Sequence, residues 1–191
     1  MINLMVYKKN KNWTEIIGLP GVGKTEYLTK NLERLNKRFD IIKSNKHTYL
    51  QQIRYLIVFY SSFYSSLKSI DDKSFIKKIS YRISFRPILN NRKKLFYDSG
   101  IFQVLLENLI ESDFKEIEKK LIFLEKFTLP SNLILVHDKI DKIVEREIKR
   151  KNRRFKFNKT ELTKRYKKGL EIIKKKIFPM VNSFQTIIVN N

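Results

Sequence analysis

A glycine-rich segment near the start of the chain constrains the fold more than any other feature. Residues 18–25 read Gly-Leu-Pro-Gly-Val-Gly-Lys-Thr and fill every fixed position of the pattern G-x-x-x-x-G-K-[ST]. The preceding residues, Trp13 to Ile17, are mostly apolar and include β-branched side chains, as in a buried strand. After the segment, Leu28, Leu32 and Leu35 recur at helical spacing. The pattern therefore predicts a strand, a glycine loop and a helix in that order.

The binding of a nucleoside triphosphate explains why these residue types occur at this spacing. Glycines allow the backbone to turn successive amide N–H groups inward, and the first turn of the helix adds unpaired donors and the positive end of its dipole. Lys24 is predicted to reach the β- and γ-phosphates, and the Thr25 hydroxyl to bind the bridging Mg²⁺. ATP and Mg²⁺ are thus the predicted cofactors. The predicted binding residues are Gly18, Gly21, Val22, Gly23, Lys24, Thr25 and Glu26. An ordinary glycine turn is the alternative, but it does not explain the offset of Lys and Thr.

Composition limits the class of protein. A chain of 191 residues with 42% hydrophobic side chains suits one domain, 1–191, with a sizeable core. The absence of cysteine excludes disulfides and cysteine-built metal sites and favours an intracellular location. The longest apolar run, Leu56 to Tyr60, is too short to span a membrane, and the first residues do not resemble a secretory signal. We therefore expect a soluble cytoplasmic protein without a membrane span.

The net charge of +22 bears on the partners of the protein. The segment 139–176 carries 17 Lys or Arg against 5 Asp or Glu, which an evenly distributed coat of solvated lysines does not predict. Nucleic acid is therefore a possible partner, beside ATP and a small-molecule acceptor. A general bias toward Ile, Lys and Asn explains the charge without nucleic acid. The sequence leaves the oligomeric state open.

The rest of the chain alternates between strand and helix patterns. Further strands are predicted at Arg38–Ser44, Leu95–Tyr97, Asn132–His137 and Thr186–Val189. Helices are predicted after Gly100 and at His47–Tyr60, Asp71–Ser84, Lys115–Phe127, Ile140–Ile148 and Glu161–Ile177, with Ser61–Ser66 as an interruption. Five strands separated by helices predict a three-layer α/β/α sandwich with a five-stranded, mainly parallel sheet. The aromatic cluster Tyr55, Phe59, Tyr60, Phe63 and Tyr64 is expected to pack in the core or under a lid.

Asp98 is the second candidate site residue. It follows the apolar run Leu95–Tyr97, and Ser99-Gly100 then makes a sharp exit into a helix. An acidic residue at the carboxyl end of a strand is where proteins with this loop place the carboxylate that holds Mg²⁺. The same carboxylate could accept a proton from an acceptor hydroxyl, and the sequence does not separate these roles. Ordinary turn chemistry at Asp-Ser-Gly is the alternative. His137, at another strand end, is expected to bond to backbone.

On these motifs the chain resembles the P-loop kinases of the nucleoside and nucleotide kinase group, and its layout is similar to that of thymidylate kinases. The resemblance runs from Trp13 to Val189, although only the P-loop is specific. It implies acceptor-side helices at about residues 45–92, where Arg82 and Arg86 are candidate acceptor contacts, and a basic lid at about 146–160. It also implies that Arg146 and Arg150, matching an R-x-x-x-R pattern, are catalytic, and that Arg153 and Arg154 bind the nucleotide. A helix with a solvated basic face is the alternative.

The departures from the group concern the acceptor. Nucleotide kinases commonly carry Asp-Arg after the middle strand, whereas this chain has Asp98-Ser99-Gly100. The predicted second strand ends in Lys43-Ser44 instead of the carboxylate that nucleoside kinases use as base. The predicted function is Mg²⁺-dependent transfer of the γ-phosphoryl group of ATP to an unidentified small molecule, with ATP hydrolysis as the fallback. A protein that binds or phosphorylates nucleic acid, and a non-catalytic regulatory NTPase, are the alternatives.

Overall fold

The structure, a computed structural model, describes residues 13–31, 33, 40–42, 49–84, 95–97, 100–127, 129–150 and 154–188. Five strands form one sheet in the order β2-β3-β1-β4-β5, and every described strand pair is parallel. The strands are β1 Trp13–Gly18, β2 Asp40–Ile42, β3 Leu95–Tyr97, β4 Asn132–His137 and β5 Ser183–Ile188. The prediction of an α/β fold with a parallel sheet is confirmed.

The first strand lies at the centre of the sheet. All six residues of β1 are buried, because both neighbouring strands and the helices above them cover it. Glu15 lies opposite Tyr97 of β3, and Gly18 lies opposite Val136 of β4. This register brings the carboxyl ends of β1 and its two neighbours to one edge of the sheet, which is where parallel sheets bind ligands.

The helices fill the connections between the strands. They are α1 Lys24–Lys30, α2 Tyr49–Leu67, α3 Lys73–Ser84, α4 Ile101–Glu111, α5 Ile117–Leu124, α6 Ile140–Lys149 and α7 Lys159–Ile172, the last continued by a π-helical turn Ile173–Ile177 and a 3₁₀ turn Phe178–Met180. The connection from β1 to β2 runs toward one edge of the sheet, and the three later connections run toward the other. Because such crossovers are right-handed, this reversal predicts helices on both faces, as in a three-layer sandwich.

The predicted interruption at Ser61–Ser66 is wrong, because α2 runs unbroken through these serines. Phe59 and Phe63 lie one turn apart on the inner face of α2, and their rings pack against Phe123 and Phe127. Burial of such rings contributes more than the roughly 0.5 kcal/mol per residue that serine costs in a helix. The predicted aromatic cluster is therefore part of the core at Phe59 and Phe63, whereas Tyr60 and Tyr64 are exposed.

A buried polar cluster joins α3, α4 and α5. Lys120 is fully buried, and its Nζ lies 2.7 Å from Asp72 Oδ2 and 2.8 Å from Asn108 Oδ1. Asn108 also donates to the same Asp72 oxygen, and the backbone N–H of Phe75 donates to the other one. Burial alone would raise the pKa of the Asp72 carboxyl, but the hydrogen bonds from Lys120, Phe75 and Asn108 outweigh burial and hold that pKa below its usual range. The cluster therefore depends on a charged Asp72.

Candidate active site

The glycine loop connects the end of the central strand to the start of α1. Gly21 and Gly23 both have φ of 89°, a left-handed conformation that L side chains rarely adopt. Gly23 is also the N-cap of α1, so Lys24 and Thr25 lie in the first helical turn. The N–H groups of this turn have no partner within the helix, and they face the loop with the positive end of the helix dipole. The structure thus confirms the predicted strand, loop and helix.

The geometry brings together all the predicted nucleotide contacts from Gly18 to Glu26. The loop is closed by a hydrogen bond of 3.1 Å from the N–H of Val22 to the carbonyl of Leu19. Thr25 and Glu26 are exposed on the first turn, and Glu26 pairs with Lys30 on the outer side of α1 at 2.7 Å. Contact of these residues with ATP and Mg²⁺ stays a prediction. Because Glu26 already pairs along the helix, a direct contact with nucleotide is less favourable for Glu26 than for Thr25.

Gln103 of α4 holds the entry of the loop from outside. Its amide oxygen accepts the N–H of Gly18 at 2.9 Å, and its amide nitrogen donates to the carbonyl of Gly18 at 3.1 Å. The side chain is 2% exposed. The sequence interpretation missed Gln103, because the motif identifies the loop and not a helix 85 residues further along the chain. The sequence does contain one indication of its role, because Gln103 is a polar side chain among the apolar residues of α4.

Two more helices pack against the outside of the loop. A Cβ atom on Gly21 would lie 2.7 Å from the carbonyl oxygen of Ile143 and 3.3 Å from Cβ of Glu147, so α6 leaves room only for glycine. The hydroxyl of Tyr166, from α7, donates to the carbonyl of Pro20 at 3.0 Å. Burial and the nearby Glu147 carboxylate raise the pKa of Tyr166, so its hydroxyl remains a donor.

The predicted lid arginines contact carboxylates of the protein itself. Arg146, on α6, lies 2.8 Å from Asp138, and Arg150, just past the end of α6, lies 3.2 Å from the buried Glu147. The guanidinium of Arg154 pairs with Glu107 of α4, while its backbone N–H donates to Glu147 at 2.6 Å. These contacts place the three arginines beside the helices that pack against the loop. Their contact with nucleotide stays a prediction.

Asp138 is a candidate site residue that the sequence interpretation passed over. It directly follows β4, is 3% exposed, and accepts the N–H of Lys139 at 2.7 Å as well as the guanidinium of Arg146. Burial would raise its pKa, but these two donors outweigh burial and hold the pKa of Asp138 below its usual range. The rule that singled out Asp98, an acidic residue after an apolar strand, fits Asp138 equally well. The signal was therefore present in the sequence.

His137 is the last residue of β4. Its Nδ1 atom is buried and has no hydrogen-bond partner within the part of the chain that the structure describes. Burial lowers the pKa of this imidazole, and the positive charge of Lys174 lowers the pKa further. His137 is therefore neutral at pH 7, and its Nδ1 does not supply the predicted backbone hydrogen bond.

Several predicted residues fall outside the described ranges. They are Asp98, Arg86 and Arg153, and the side chain of Arg82, whose backbone lies in α3. The described residues end at Tyr97 and resume at Gly100. Tyr97 ends the strand next to β1, and the N–H groups of Phe102 and Gln103, at the start of α4, donate to the buried carboxylate of Glu15. The roles of Asp98 and of these arginines stay predictions.

The chain has a parallel sheet of order 2-3-1-4-5 with a glycine loop that leads from the central strand into a helix, and it shares its fold with solved structures of a kinase. Among solved structures, the chain is similar to deoxyadenosine kinase from M. mycoides with bound dATP, at 15% identity and a TM-score of 0.57 over 93% of this chain and 90% of that one. The same enzyme with dCTP gives 15% identity and a TM-score of 0.55 over 93% and 89%. The structure of that enzyme with the products dCMP and dCDP is 16% identical in sequence and has a TM-score of 0.57, over 93% of this chain and 90% of that one.

No family model matches the chain, and no curated protein matches it either. At the identities found, the likeness to solved structures establishes the fold. None of the helices in the described ranges is long and apolar enough to cross a membrane.

Proposed function

We propose that the protein is a P-loop kinase that binds ATP with Mg²⁺ and transfers the γ-phosphoryl group to a small-molecule acceptor. The observation that carries the proposal is the loop itself, with Gly21 and Gly23 in left-handed conformations ahead of the N-terminus of α1. This arrangement points backbone N–H groups and the dipole of α1 into one concave turn, as a triphosphate requires. Lys24 supplies the positive charge for the β- and γ-phosphates.

The available donors fit a magnesium ion that is held largely by the phosphates. Within the described residues, no group of three or more His, Asp or Glu side chains could hold a metal by itself. Thr25 offers a hydroxyl on the exposed side of the first turn of α1, and Asp98 is the proposed carboxylate. Thr25 and Asp98 would hold Mg²⁺, which would supply positive charge to neutralise the charge that develops on the phosphates during transfer.

The lid arginines are proposed to exchange a carboxylate for a phosphate when nucleotide binds. Arg150 and Arg154 are about half exposed, whereas their partners Glu147 and Glu107 are fully and largely buried. The guanidinium groups can therefore swing out while the carboxylates stay in place. A phosphate with two or more negative charges competes well with a single carboxylate for such a group. These arginines then stabilise the transferred phosphoryl group.

A hydroxyl is the proposed acceptor group, and deoxynucleosides are the class to test first. The chain lacks the arginine that follows the middle-strand carboxylate in nucleotide kinases, so an acceptor phosphate would be without that cation. The similar solved structures are those of a deoxyadenosine kinase. Asp98 is the proposed base for the acceptor hydroxyl if it does not serve the metal.

Calorimetric titration with ATP in the presence of Mg²⁺ tests the nucleotide site. Lys24→Ala is expected to weaken binding about 10- to 100-fold, as the loss of a charge-assisted hydrogen bond predicts. Lys30→Ala is the matched control, because Lys30 lies on the same helix but pairs with Glu26 on its outer side. Equal affinity of the wild type and Lys24→Ala would rule out the proposed site.

Phosphoryl transfer is then measured with deoxynucleosides and other hydroxyl compounds as acceptors. ATP binding without transfer to any acceptor would favour the regulatory alternative. Affinity for DNA or RNA that falls steeply with salt would favour the nucleic-acid alternative. Between residues 139 and 176, Arg165 is only 12% exposed and pairs with Glu161, so this cation is poorly placed to contact a nucleic-acid phosphate.

A further inference from the structure

We infer that Gln103 is a positioning residue of the nucleotide site, which fixes the first peptide groups of the P-loop and is itself oriented by Glu107. The inference rests on the proposed function for its consequence in nucleotide binding. Its structural part concerns the conformation of the loop without ligand. Gln103 touches neither the first turn of α1 nor the inner side of the loop in any described contact, so it acts through Gly18.

Gln103 lies where the polar backbone groups of Gly18 need side-chain partners. The described part of β3 ends at Tyr97, opposite Glu15, while β1 continues to Gly18. The N–H and C=O groups of one residue in a strand point to the same side, so Gly18 needs both an acceptor and a donor beyond the described end of β3. A primary amide is the side-chain group that supplies both in one plane. Gln103 thus continues the sheet hydrogen bonding to the residue where the chain leaves the sheet.

A second contact fixes which way the amide of Gln103 faces. Its nitrogen donates to Glu107 Oε1 at 2.7 Å, one helical turn further along α4. Since a carboxylate only accepts, the amide nitrogen must face Glu107 and the carbonyl of Gly18, which leaves the amide oxygen for the Gly18 N–H. The same Glu107 oxygen accepts the guanidinium of Arg154. One carboxylate therefore orients Gln103 and holds the predicted lid residue.

Gln103 contacts the loop in a different way from Tyr166 and α6. Among the described contacts, Tyr166 donates a hydrogen bond to Pro20, and α6 packs against Gly21. Gln103 fixes both polar groups of the residue that sets the direction in which the chain enters the loop. A rotation at Gly18 would displace every later amide of the loop, and a shift of about 1 Å in a binding group is enough for a large loss of function.

The test compares two buried amides of the same helix. Gln103→Met keeps the length of the side chain and removes all three hydrogen bonds. Asn108→Leu is the matched control, because Asn108 is 1% exposed on α4 and bonds to Asp72 and Lys120, away from the loop. Both variants are expected to lower the melting temperature. Only Gln103→Met is expected to speed amide hydrogen exchange in a peptide covering residues 18–24, measured by mass spectrometry without nucleotide.

The second measurement is the dissociation constant for ATP with Mg²⁺. Gln103→Met is expected to raise this constant roughly 10- to 100-fold, whereas the constant of Asn108→Leu should stay within about twofold of the wild-type value. Gln103→Leu also removes the three hydrogen bonds without adding a charge beside Glu107, so we expect a similar loss of affinity, and this variant replaces Gln103→Met if the latter does not fold. Exchange in residues 18–24 that is the same in the Gln103 variants and the wild type overturns the inference.

The two measurements separate the inference from the proposed function. Faster loop exchange in Gln103→Met, together with a wild type that binds no ATP, overturns the proposed function and supports the positioning of the loop. Tight binding of ATP by the wild type and by both Gln103 variants supports the proposed function and overturns the inference.

Discussion

Single residues of the loop serve two purposes at once, and Gly21 is the clearest case. The motif requires glycine there for the direction of the backbone amides, and the structure adds the contact with α6. Gly21→Ala is expected to lower the free energy of unfolding by about 2 kcal/mol, since a left-handed conformation costs an L residue roughly 1–2 kcal/mol before any clash with Ile143. Urea denaturation measures this change, and ATP affinity should fall with it.

Gly169→Ala is the control for that prediction. Gly169 lies inside α7, and a Cβ there would meet Cδ1 of Leu106, the end of a flexible side chain, at 3.3 Å. Alanine is favoured over glycine in a helix by about 1 kcal/mol, so the stability of this variant should stay level or rise. Equal losses in the two variants would mean that packing density, and not the φ angle of Gly21, decides the outcome.

At the residue scale, the sequence predicts what a contiguous motif encodes and misses what distant residues supply. The geometry around Gly21 and Gly23 follows from the loop pattern because the chemistry and the spacing are local. Gln103 and Tyr166 act on the loop from helices far along the chain, and no local pattern marks a partner at that distance. Asp138 is different, since the strand-end rule applied to Asp98 would also have found it.

At the scale of helices, the buried cluster around Lys120 fixes α5 against α3 and α4. Lys120→Met leaves the Asp72 carboxylate largely buried without its cation, and the loss of one partner of such a pair costs about 3–5 kcal/mol. Lys119→Met is the control, because Lys119 is the next residue and is half exposed. Chemical denaturation at pH 7 should show a large loss for Lys120→Met and little change for Lys119→Met.

The pH dependence of Asp72→Asn checks the same cluster independently. The folded-state pKa of Asp72 lies below its unfolded value, so the stability it contributes is fully present above the unfolded pKa of about 3.9 and is lost as the pH falls through the folded value. The free energy of unfolding of Asp72→Asn should therefore lie well below that of the wild type at pH 7, and the difference should shrink as the pH falls below the unfolded pKa of about 3.9. A difference that stays constant with pH would show that the charge of Asp72 is not involved.

The boundaries of the helices follow local signals where a cap exists and tertiary packing where none does. Asn158 caps α7 by accepting the N–H of Glu161 at 2.9 Å, and so the helix begins two residues before the predicted start. By contrast, α2 continues through Ser61–Ser66 because its phenylalanines pack against α5 and the turn after it. Ring packing of that kind depends on the fold and is not visible in a local pattern.

At the scale of the whole molecule, the order of strand and helix patterns along the chain was sufficient to predict a parallel α/β fold. Runs of apolar residues bounded by turn residues mark the strands, and Gly18 to Thr25 mark the proposed nucleotide site. The exposed edge strand was predicted three residues short at its start, because Ser183 to Gln185 lack an apolar run. The acceptor could not be predicted, since no local motif defines it.

The net charge of +22 leads to a prediction about the stability of the whole chain without ligand. Raising NaCl from 0.1 to 1 M shortens the Debye length from about 10 to about 3 Å, which screens repulsion between distant cations more than attraction within close pairs such as Arg146 and Asp138. The melting temperature, followed by calorimetry, should therefore rise with salt. Lys24→Ala should show the same rise if screening is the cause, whereas a rise confined to the wild type would indicate anion binding in the loop. A melting temperature that falls with salt would mean that the ion pairs of the fold outweigh its net repulsion.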